Sequence, residues 1–216
     1  MRIILLGAPG SGKGTQVKIL TDHFKIRGIS LGDILRQEVK RNSPLGGKVK
    51  EYMQEGLLVP DEIVSLVIEE NINNEGFILD GYPRNVSQAE KLESILNNKN
   101  LSFDKAIYLD VSENMLITRL SGRRVCKVCN ANYHVKNMPS KREGICNICG
   151  GELIQRNDDK PEVIKKRWVV FQKENASLMD YYRQRDKLVI VDANKEAEEV
   201  FQAIVKNFNY GKHSCL

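Results

Sequence analysis

Short apolar runs alternate along this chain with longer segments in which apolar residues recur at helical spacing. Four runs, at residues 3–6, 76–81, 106–111 and 187–191, are too short for helices and predict buried strands. Helical spacing predicts helices over 15–20, from 32–33 to a loop at 42–47, and over 48–54, 87–96, 113–120, 161–182 and 196–207. A further helix is predicted to extend to about residue 71, with Asp61 as its N-cap. Because strands and helices alternate, the pattern predicts an α/β fold with a parallel sheet flanked by helices on both faces.

The loop after the first predicted strand has a composition typical of phosphate binding. Residues 7–13 read GAPGSGK, which fits the pattern G-x-x-x-x-G-K. Backbone N–H groups of such a loop and of the following helix N-terminus bind phosphate, and Lys13 can reach the β and γ phosphates. The pattern expects Ser or Thr directly after the lysine, whereas here Gly14 precedes Thr15. The hydroxyl that usually binds the metal ion is therefore shifted or absent.

A second feature supports nucleotide binding. The apolar run at 76–81 ends in Asp80 and Gly81, an arrangement that places a carboxylate near a phosphate-bound Mg²⁺. Alone it is a weak signal, since many strands end in such a turn. Together with the phosphate-binding loop it predicts a Mg²⁺-nucleotide site.

Composition narrows the class of protein. The chain has 216 residues, of which 41% are hydrophobic, enough for one large domain with insertions or for two small ones. No apolar run has the length of a membrane span, and the four apolar residues near the N-terminus are too few for a signal peptide. We therefore expect a cytoplasmic protein without a membrane partner. The net charge of +5 suits an anionic ligand but is common in soluble proteins.

Four of the five cysteines form the pattern C-x2-C-x16-C-x2-C, whose spacing is typical of zinc sites. They are Cys126, Cys129, Cys146 and Cys149. The segment 122–159 around them is poor in aliphatic residues, so it predicts a small inserted module that a structural zinc ion stabilises. The fifth, Cys215, receives no role.

Six longer motifs carry a resemblance to a known family. They are GAPGSGKGTQ at 7–16, GDILR at 32–36, LVPDE at 58–62, DGYPRNVSQAE at 80–90, SGRR at 121–124 and QRNDD at 155–159. From residue 1 to about 208 the chain resembles the adenylate kinase family, in its long bacterial form with a zinc-binding lid. The resemblance implies the fold of the P-loop nucleoside monophosphate kinases. It also implies a core of residues 1–29, 60–121 and 160–216, an NMP-binding segment at 30–59, and a zinc-bearing lid at 122–159.

The same resemblance implies the reaction and its residues. The reaction would be reversible phosphoryl transfer from Mg-ATP to AMP, giving two ADP, in a monomer that binds no nucleic acid. The implied catalytic residues are Lys13, Arg84, Arg123, Arg156 and Arg167. The implied ATP-binding residues are Gly10, Ser11, Gly12, Lys13, Gly14, Thr15, Arg119, Arg123, Asn132, Tyr133 and Lys195. The implied AMP-binding residues are Leu31, Arg36, Leu57, Leu58, Val59, Gly81, Tyr82, Pro83, Arg84, Gln88, Arg156 and Arg167.

Several finer roles follow from the same resemblance. Asp33 and Asp80 are expected to hold Mg²⁺ through water, because octahedral Mg²⁺ keeps several water ligands. Tyr133 is expected to offer a stacking face to ATP, and Asp158 and Asp159 to orient the lid arginines. A departure from the family lies in the AMP segment, where a sequence that usually reads Ser-Thr-Gly-Asp has Leu31 in place of the threonine.

Three alternatives stay open at this stage. A kinase of UMP or CMP shares the core chemistry and differs only in its acceptor pocket. A zinc-ribbon nucleic-acid-binding protein fits the cysteines and the basic charge, but aromatic residues are only 6% of the chain, few for base stacking. A nucleotide-driven motor or switch would need a partner-responsive switch region, and none is visible. A coupled assay with a panel of acceptors discriminates among these.

Overall fold

The computed structural model describes residues 1–208; residues 209–216, including Cys215 and the end of the expected core segment, lie outside them. The strands are β1 (Arg2–Gly7), β2 (Arg27–Ser30), β3 (Phe77–Asp80), β4 (Lys105–Asp110), β5 (Arg123–Cys126), β6 (Asn132–His134), β7 (Leu153–Ile154) and β8 (Leu188–Asp192). The helices are α1 (Lys13–Phe24), α2 (Leu31–Lys40), α3 (Pro44–Glu55), α4 (Asp61–Asn71), α5 (Val86–Asn98), α6 (Glu113–Ser121), α7 (Pro161–Arg183) and α8 (Ala197–Val205), with a 3-10 turn at Asn157–Asp159.

Five parallel strands form the central sheet, in the order β2-β3-β1-β4-β8. Successive side chains of β1 point to opposite faces, so Ile3 and Leu5 belong to one buried cluster while Ile4 and Leu6 belong to another. Helices α1 and α8 cover the first face, and α2, α4, α5 and α7 contribute to the second. The prediction of a parallel sheet flanked by helices is therefore confirmed.

The sequence prediction contains no strand at the position of β2. Of its four residues only Ile29 is buried, and Arg27 and Gly28 are exposed, so no alternating pattern marks it. The strand forms because its backbone pairs with β3 at the edge of the sheet, with Ser30 opposite Asp80. Tertiary pairing rather than local pattern sets this strand.

Of the helix starts, that of α3 differs most from the prediction, and that of α4 has a different N-cap. Helix α3 begins at Pro44 rather than at 48, because the Ser43 side chain accepts a hydrogen bond from the Gly46 N–H and proline suits the first helical position. Helix α4 begins one residue before the expected one, so Pro60 is its N-cap and Asp61 is its first residue.

The lid segment forms a small antiparallel sheet in the order β6-β5-β7, which the sequence did not predict. Its buried interior consists of Cys126, Tyr133 and Cys146. So small a cluster cannot stabilise a domain by apolar burial alone. No helix among the described residues is long and apolar enough to cross a membrane.

Candidate active site

The phosphate-binding loop connects the carboxyl end of β1 to the first turn of α1. Gly12 is the N-cap of α1 and has a φ of 99°, a conformation that disfavours side chains. A Cβ atom at Gly10 would lie 2.8 Å from Cγ of Leu120 on α6. Glycine at these two positions therefore lets the loop turn tightly and pack against α6.

Lys13 lies at the base of this loop. Its Nζ donates hydrogen bonds to the carbonyl oxygens of Gly7, at 2.7 Å, and Ala8, at 2.9 Å. Although Lys13 is partly exposed, desolvation by the surrounding protein lowers its pKa to about 8; the Asp80 charge opposes this effect, while nearby arginines add to it. Lys13 is thus a cation held in a strongly positive site.

A cavity of about 480 Å³ opens above the loop and is lined by residues of the core, the 30–59 segment and the lid. It lies at the carboxyl ends of the parallel strands, where α/β sheets usually bind ligands. The predicted site residues that line it are Gly10, Ser11, Gly12, Lys13, Gly14, Thr15, Asp33, Arg36, Leu58, Asp80, Gly81, Pro83, Arg84, Arg119, Arg123, Asn132, Tyr133, Arg156, Arg167 and Lys195.

A second pocket, of about 50 Å³, shares three of these arginines with the main cavity. They are Arg36, Arg84 and Arg167. The other predicted residues that line it are Leu31, Leu57, Leu58, Val59 and Gln88. Eight of the twelve predicted AMP residues therefore line a small pocket that adjoins the cavity around the phosphate-binding loop.

Positive charge is concentrated where the two cavities meet. Burial, together with repulsion from neighbouring arginines, lowers the pKa values of Arg156 and Arg167 to about 10. Burial also lowers the pKa values of Arg84 and Arg119. A polyanion placed among these side chains would relieve their repulsion, so the site favours a ligand rich in phosphate.

Two adjacent aspartates of the 3-10 turn hold the arginines in place. Arg123 donates to both carboxylate oxygens of the fully buried Asp159, at 2.7 and 2.5 Å. Nη1 of Arg167 donates to the Asp158 carboxylate at 2.9 Å. Burial raises the pKa of Asp158, but Arg167 and three further arginines outweigh that effect and hold it below its usual value. The expected orienting role of these aspartates agrees with this geometry.

The 30–59 segment and the lid also contact each other directly. Arg156 lies 3.7 Å from Asp33, and Lys40 Nζ donates to the carbonyl oxygen of Lys127 at 3.0 Å. Arg36 is within 3.9 Å of the Asp158 carboxylate. The structure thus shows the cavity with both segments brought together over it.

The two expected magnesium ligands both line the main cavity. Asp33 accepts a hydrogen bond from Arg36 at 2.6 Å, and Arg36 and Arg156 outweigh the effect of burial to lower the pKa of Asp33. Asp80 accepts from the Ser30 hydroxyl at 3.4 Å. Both side chains therefore line the cavity where Mg²⁺ is expected, although Asp33 already pairs with an arginine.

Two tyrosines of the predicted site are buried: Tyr82 lines neither pocket, whereas Tyr133 lines the main cavity with little of its side chain exposed. The Tyr82 side chain is fully buried, donates to the Gln88 carbonyl oxygen at 3.0 Å and lines neither pocket. Tyr133 belongs to the lid interior, with 8% of its surface exposed. Its ring therefore offers little open face for stacking on a base. Sequence alone does not show which way such a side chain points.

Both polar atoms of the Gln88 side chain form hydrogen bonds within the protein. Its Oε1 accepts from the Arg84 N–H at 2.8 Å, and its Nε2 donates to Asp61 at 2.7 Å. An amide has two donors and two acceptor lone pairs, so one of each is left for a ligand. Gln88 thus positions the Arg84 backbone as well as lining the smaller pocket.

The sequence interpretation missed several cavity residues. They include His134, Asn137, Glu174, Asn175, Asn194 and Glu196. Asn194 and Glu196 follow the carboxyl end of β8, and the rule that ligands bind at the carboxyl ends of parallel strands would have indicated them. The residues on α7 have no such signal, because only the packing of α7 brings them to the cavity.

The four lid cysteines come together as a possible metal site. Their Sγ atoms all lie within 4.8 Å of one another. Four sulfur ligands at such separations suit a metal such as zinc. Backbone N–H groups donate to two of the sulfurs, as expected for thiolates in a metal site.

Comparison with known proteins identifies the family. The sequence model of the family described as Adenylate kinase matches residues 5–187. The adenylate kinase of Caldanaerobacter subterraneus subsp. tengcongensis is 48% identical over 210 residues, which cover 95% of each chain. The adenylate kinase of Caldicellulosiruptor bescii is 46% identical, and the match covers 95% of this chain and 98% of the relative. The adenylate kinase of Clostridium novyi is 45% identical, and the match covers 94% of this chain and 96% of the relative.

This chain belongs to the adenylate kinase family. The resemblance inferred from the six motifs is confirmed, and so is the fold class. The zinc-ribbon nucleic-acid-binding protein and the motor are not favoured, because the match covers the loop, the acceptor segment and the lid together.

Proposed function

We propose that this protein catalyses reversible phosphoryl transfer from Mg-ATP to AMP, giving two ADP. The observation that carries the proposal is the concentration of arginines around Lys13, where two arginine-lined pockets meet. Phosphoryl transfer needs little covalent participation by the protein and depends on positioning and on stabilising negative charge. Membership of the adenylate kinase family supports this reaction over a general nucleotide-binding role.

The residues divide into three groups. Lys13, Arg84, Arg123, Arg156 and Arg167 would surround the transferring phosphoryl group. The phosphate-binding loop at 10–15, with Arg119, Arg123, Asn132 and Lys195, would bind ATP. The second pocket, with Leu31, Arg36, residues 57–59, Arg84 and Gln88, would bind AMP. We keep Tyr82 out of the contact set, because its side chain is fully buried and lines neither pocket.

We expect two inserted segments of the chain to close over the two nucleotides. Residues 30–59 would close over AMP and residues 122–159 over ATP, on a core of 1–29, 60–121 and 160–216. The contacts between Arg156 and Asp33 and between Lys40 and the Lys127 carbonyl are consistent with a closed arrangement. Closure would exclude water, which would otherwise compete with AMP for the phosphoryl group.

Magnesium fits the carboxylates of the cavity. Asp80 and Asp33 would hold its water ligands, since Mg²⁺ in nucleotide sites keeps several waters. A Mg²⁺ ion held there would neutralise part of the negative charge of the phosphates. Lys13 and the arginines would neutralise the remaining oxygens of the phosphates.

We expect one tightly bound zinc ion per chain at Cys126, Cys129, Cys146 and Cys149, with a structural role only. Four thiolates leave no open position for substrate. Because metal binding to such a module contributes to its folding, removing zinc should destabilise the lid before the core. Elemental analysis of protein purified without added metal tests this.

Two single cysteine substitutions, one in the proposed zinc site and one outside it, test the zinc assignment further. Cys129→Ser should lower the zinc content and the lid's resistance to proteolysis, whereas Cys215→Ser, at a cysteine with no assigned role, should leave both unchanged. Protein that contains only traces of zinc, or whose zinc content survives Cys129→Ser, would contradict the zinc assignment.

We expect AMP to exceed GMP, CMP and UMP as acceptor by more than about tenfold in kcat/KM, a difference of about 1.4 kcal/mol. Leu31 cannot provide the threonine hydroxyl of the family pattern, and one neutral hydrogen bond contributes about 1 kcal/mol, so the lost contact costs about fivefold in AMP affinity. Leu31→Thr should therefore tighten AMP modestly. Gln88→Ala should weaken AMP more, because it also removes the acceptor for the Arg84 N–H.

The acceptor panel also decides between the two kinase classes. If UMP or CMP outcompetes AMP, the protein is a kinase of those nucleotides, and the assignments of the loop, lid and zinc site are unaffected. Finding no nucleoside diphosphate with any acceptor would contradict the proposed reaction itself. A monomeric state, a cytoplasmic location and the absence of a nucleic-acid partner stay predictions from the sequence.

A further inference from the structure

The two C-x2-C segments of the lid hold their buried sulfurs with similar backbone hydrogen bonds. The N–H groups of Val128 and Cys129 donate to Cys126 Sγ at 3.4 and 3.5 Å. In the second segment the Ile148 N–H donates to Cys146 Sγ at 3.4 Å. Each sulfur therefore accepts N–H groups from the loop that follows its own cysteine.

The second segment has an additional side-chain contact. The hydroxyl oxygen of Tyr133 lies 3.4 Å from Cys146 Sγ and accepts a hydrogen bond from the Asn147 N–H at 2.8 Å. Because the oxygen already accepts from a backbone donor, its own hydrogen can be directed to the sulfur. Both residues are buried, with 8% of Tyr133 and 2% of Cys146 exposed, so water competes little for this contact.

We propose that Tyr133 is a positioning residue of the zinc site, whose hydroxyl donates a hydrogen bond to the Cys146 thiolate. The inference rests on the zinc assignment made above. Four thiolates around Zn²⁺ leave a net negative charge, which hydrogen-bond donors to the sulfurs stabilise. The hydroxyl also fixes the orientation of Cys146, because Asn147, the next residue in the chain, is bound to the same oxygen.

This placement gives Tyr133 a role other than stacking on a base. Tyr133 is the middle residue of β6, and all three residues of this strand, Asn132, Tyr133 and His134, line the nucleotide cavity. The hydrogen bond therefore joins the strand that forms one wall of the cavity to the metal ligand Cys146. Zinc would in this way set the position of the wall without touching a nucleotide.

Zinc release from the metal-loaded, full-length protein tests the proposal. Tyr133→Phe keeps the ring and removes only the hydroxyl, so transfer of zinc to a chromogenic chelator should become about 10- to 100-fold faster. Tyr108→Phe is the matched control, because its hydroxyl is bound to Asn175 Nδ2 at 3.3 Å in the core and not to a cysteine. This control should release zinc near the wild-type rate.

A second readout distinguishes the hydrogen bond from general packing. In the cobalt-loaded protein, Tyr133→Phe should shift the thiolate-to-cobalt charge-transfer band, whereas Tyr108→Phe should leave it in place. An unshifted band, wild-type zinc release by Tyr133→Phe, or equal acceleration in both variants would overturn the inference. A wild-type protein that binds neither metal would overturn the zinc assignment as well, while the kinase reaction is tested separately by the acceptor panel.

Discussion

Lys13→Met is expected to lower kcat/KM for phosphoryl transfer by about 100- to 1,000-fold, the usual cost of removing one group that stabilises transition-state charge. Methionine keeps most of the length of the side chain but cannot neutralise the phosphates. It also cannot donate to the Gly7 and Ala8 carbonyl oxygens or to the Ser11 hydroxyl oxygen, so the loop loses three internal hydrogen bonds. We expect the fold to survive, because those bonds lie within one loop at the edge of the core.

The matched control is Lys18→Met, on the same helix but absent from the cavity lining. It should retain wild-type turnover, and circular dichroism should show both variants folded. Wild-type turnover by Lys13→Met would mean that the catalytic site has been placed wrongly.

The pH dependence of the wild-type enzyme gives a second test of Lys13. Burial lowers its pKa to about 8, so the ammonium is charged below that pH and neutral above it. If the charge acts on the phosphates, kcat/KM, which reports the free enzyme, should fall as pH rises through about 8. Lys13→Met should lose this alkaline limb. A variant that keeps the limb would assign it to another group.

The sequence predicted the features that depend on local motifs. Residues 7–13 specify the turn, the helix start and the lysine within one stretch, so the phosphate-binding loop could be read directly. Asp80 followed from its position at the end of a buried strand. Cys126 and its partners followed from spacing alone, and the structure brings their four sulfurs together.

Features that depend on distant contacts could not be read in the same way. Strand β2 has one buried residue and forms only because β3 lies beside it. Tyr82 and Tyr133 lie in the expected motifs, yet their side chains enter the core and the lid interior. Motif position fixes which residues are near a site, whereas packing of the surrounding elements decides which side chains reach it.

Arg167→Lys should lower kcat by about 100-fold or more, although it keeps the positive charge. Arg167 extends from α7 into the junction of the two pockets and is largely buried there. Its Nη1 donates to both the carbonyl oxygen, at 3.0 Å, and the carboxylate of Asp158, at 2.9 Å. Among the described residues, every hydrogen bond that Arg167 donates comes from this one nitrogen, so its Nε and Nη2 donors remain for phosphate oxygens.

Lysine carries all its donors on one nitrogen, so it cannot reach both Asp158 and the phosphate oxygens as the separate nitrogens of arginine do. If it binds Asp158, the phosphoryl group loses a bidentate donor, and if it binds phosphate, the 3-10 turn that carries Asp158 and Asp159 loses its support. Since Asp159 in turn holds Arg123, the loss should extend to a second arginine. We therefore expect the effect of Arg167→Lys to be non-additive with that of Arg123→Lys in a double-mutant cycle.

Arg183→Lys, the control, changes the same residue type at the exposed end of the same helix. Arg183 pairs there with Asp180, and both side chains are more than half exposed, so the variant should keep wild-type kcat. Steady-state kinetics with ATP and AMP varied in turn would show whether Arg167→Lys lowers kcat or only raises KM. An effect confined to KM for one nucleotide would make Arg167 a binding residue and remove it from the group that stabilises the transferring phosphoryl group. Equal losses in kcat and kcat/KM would place it with Lys13 among the groups that act in the transition state.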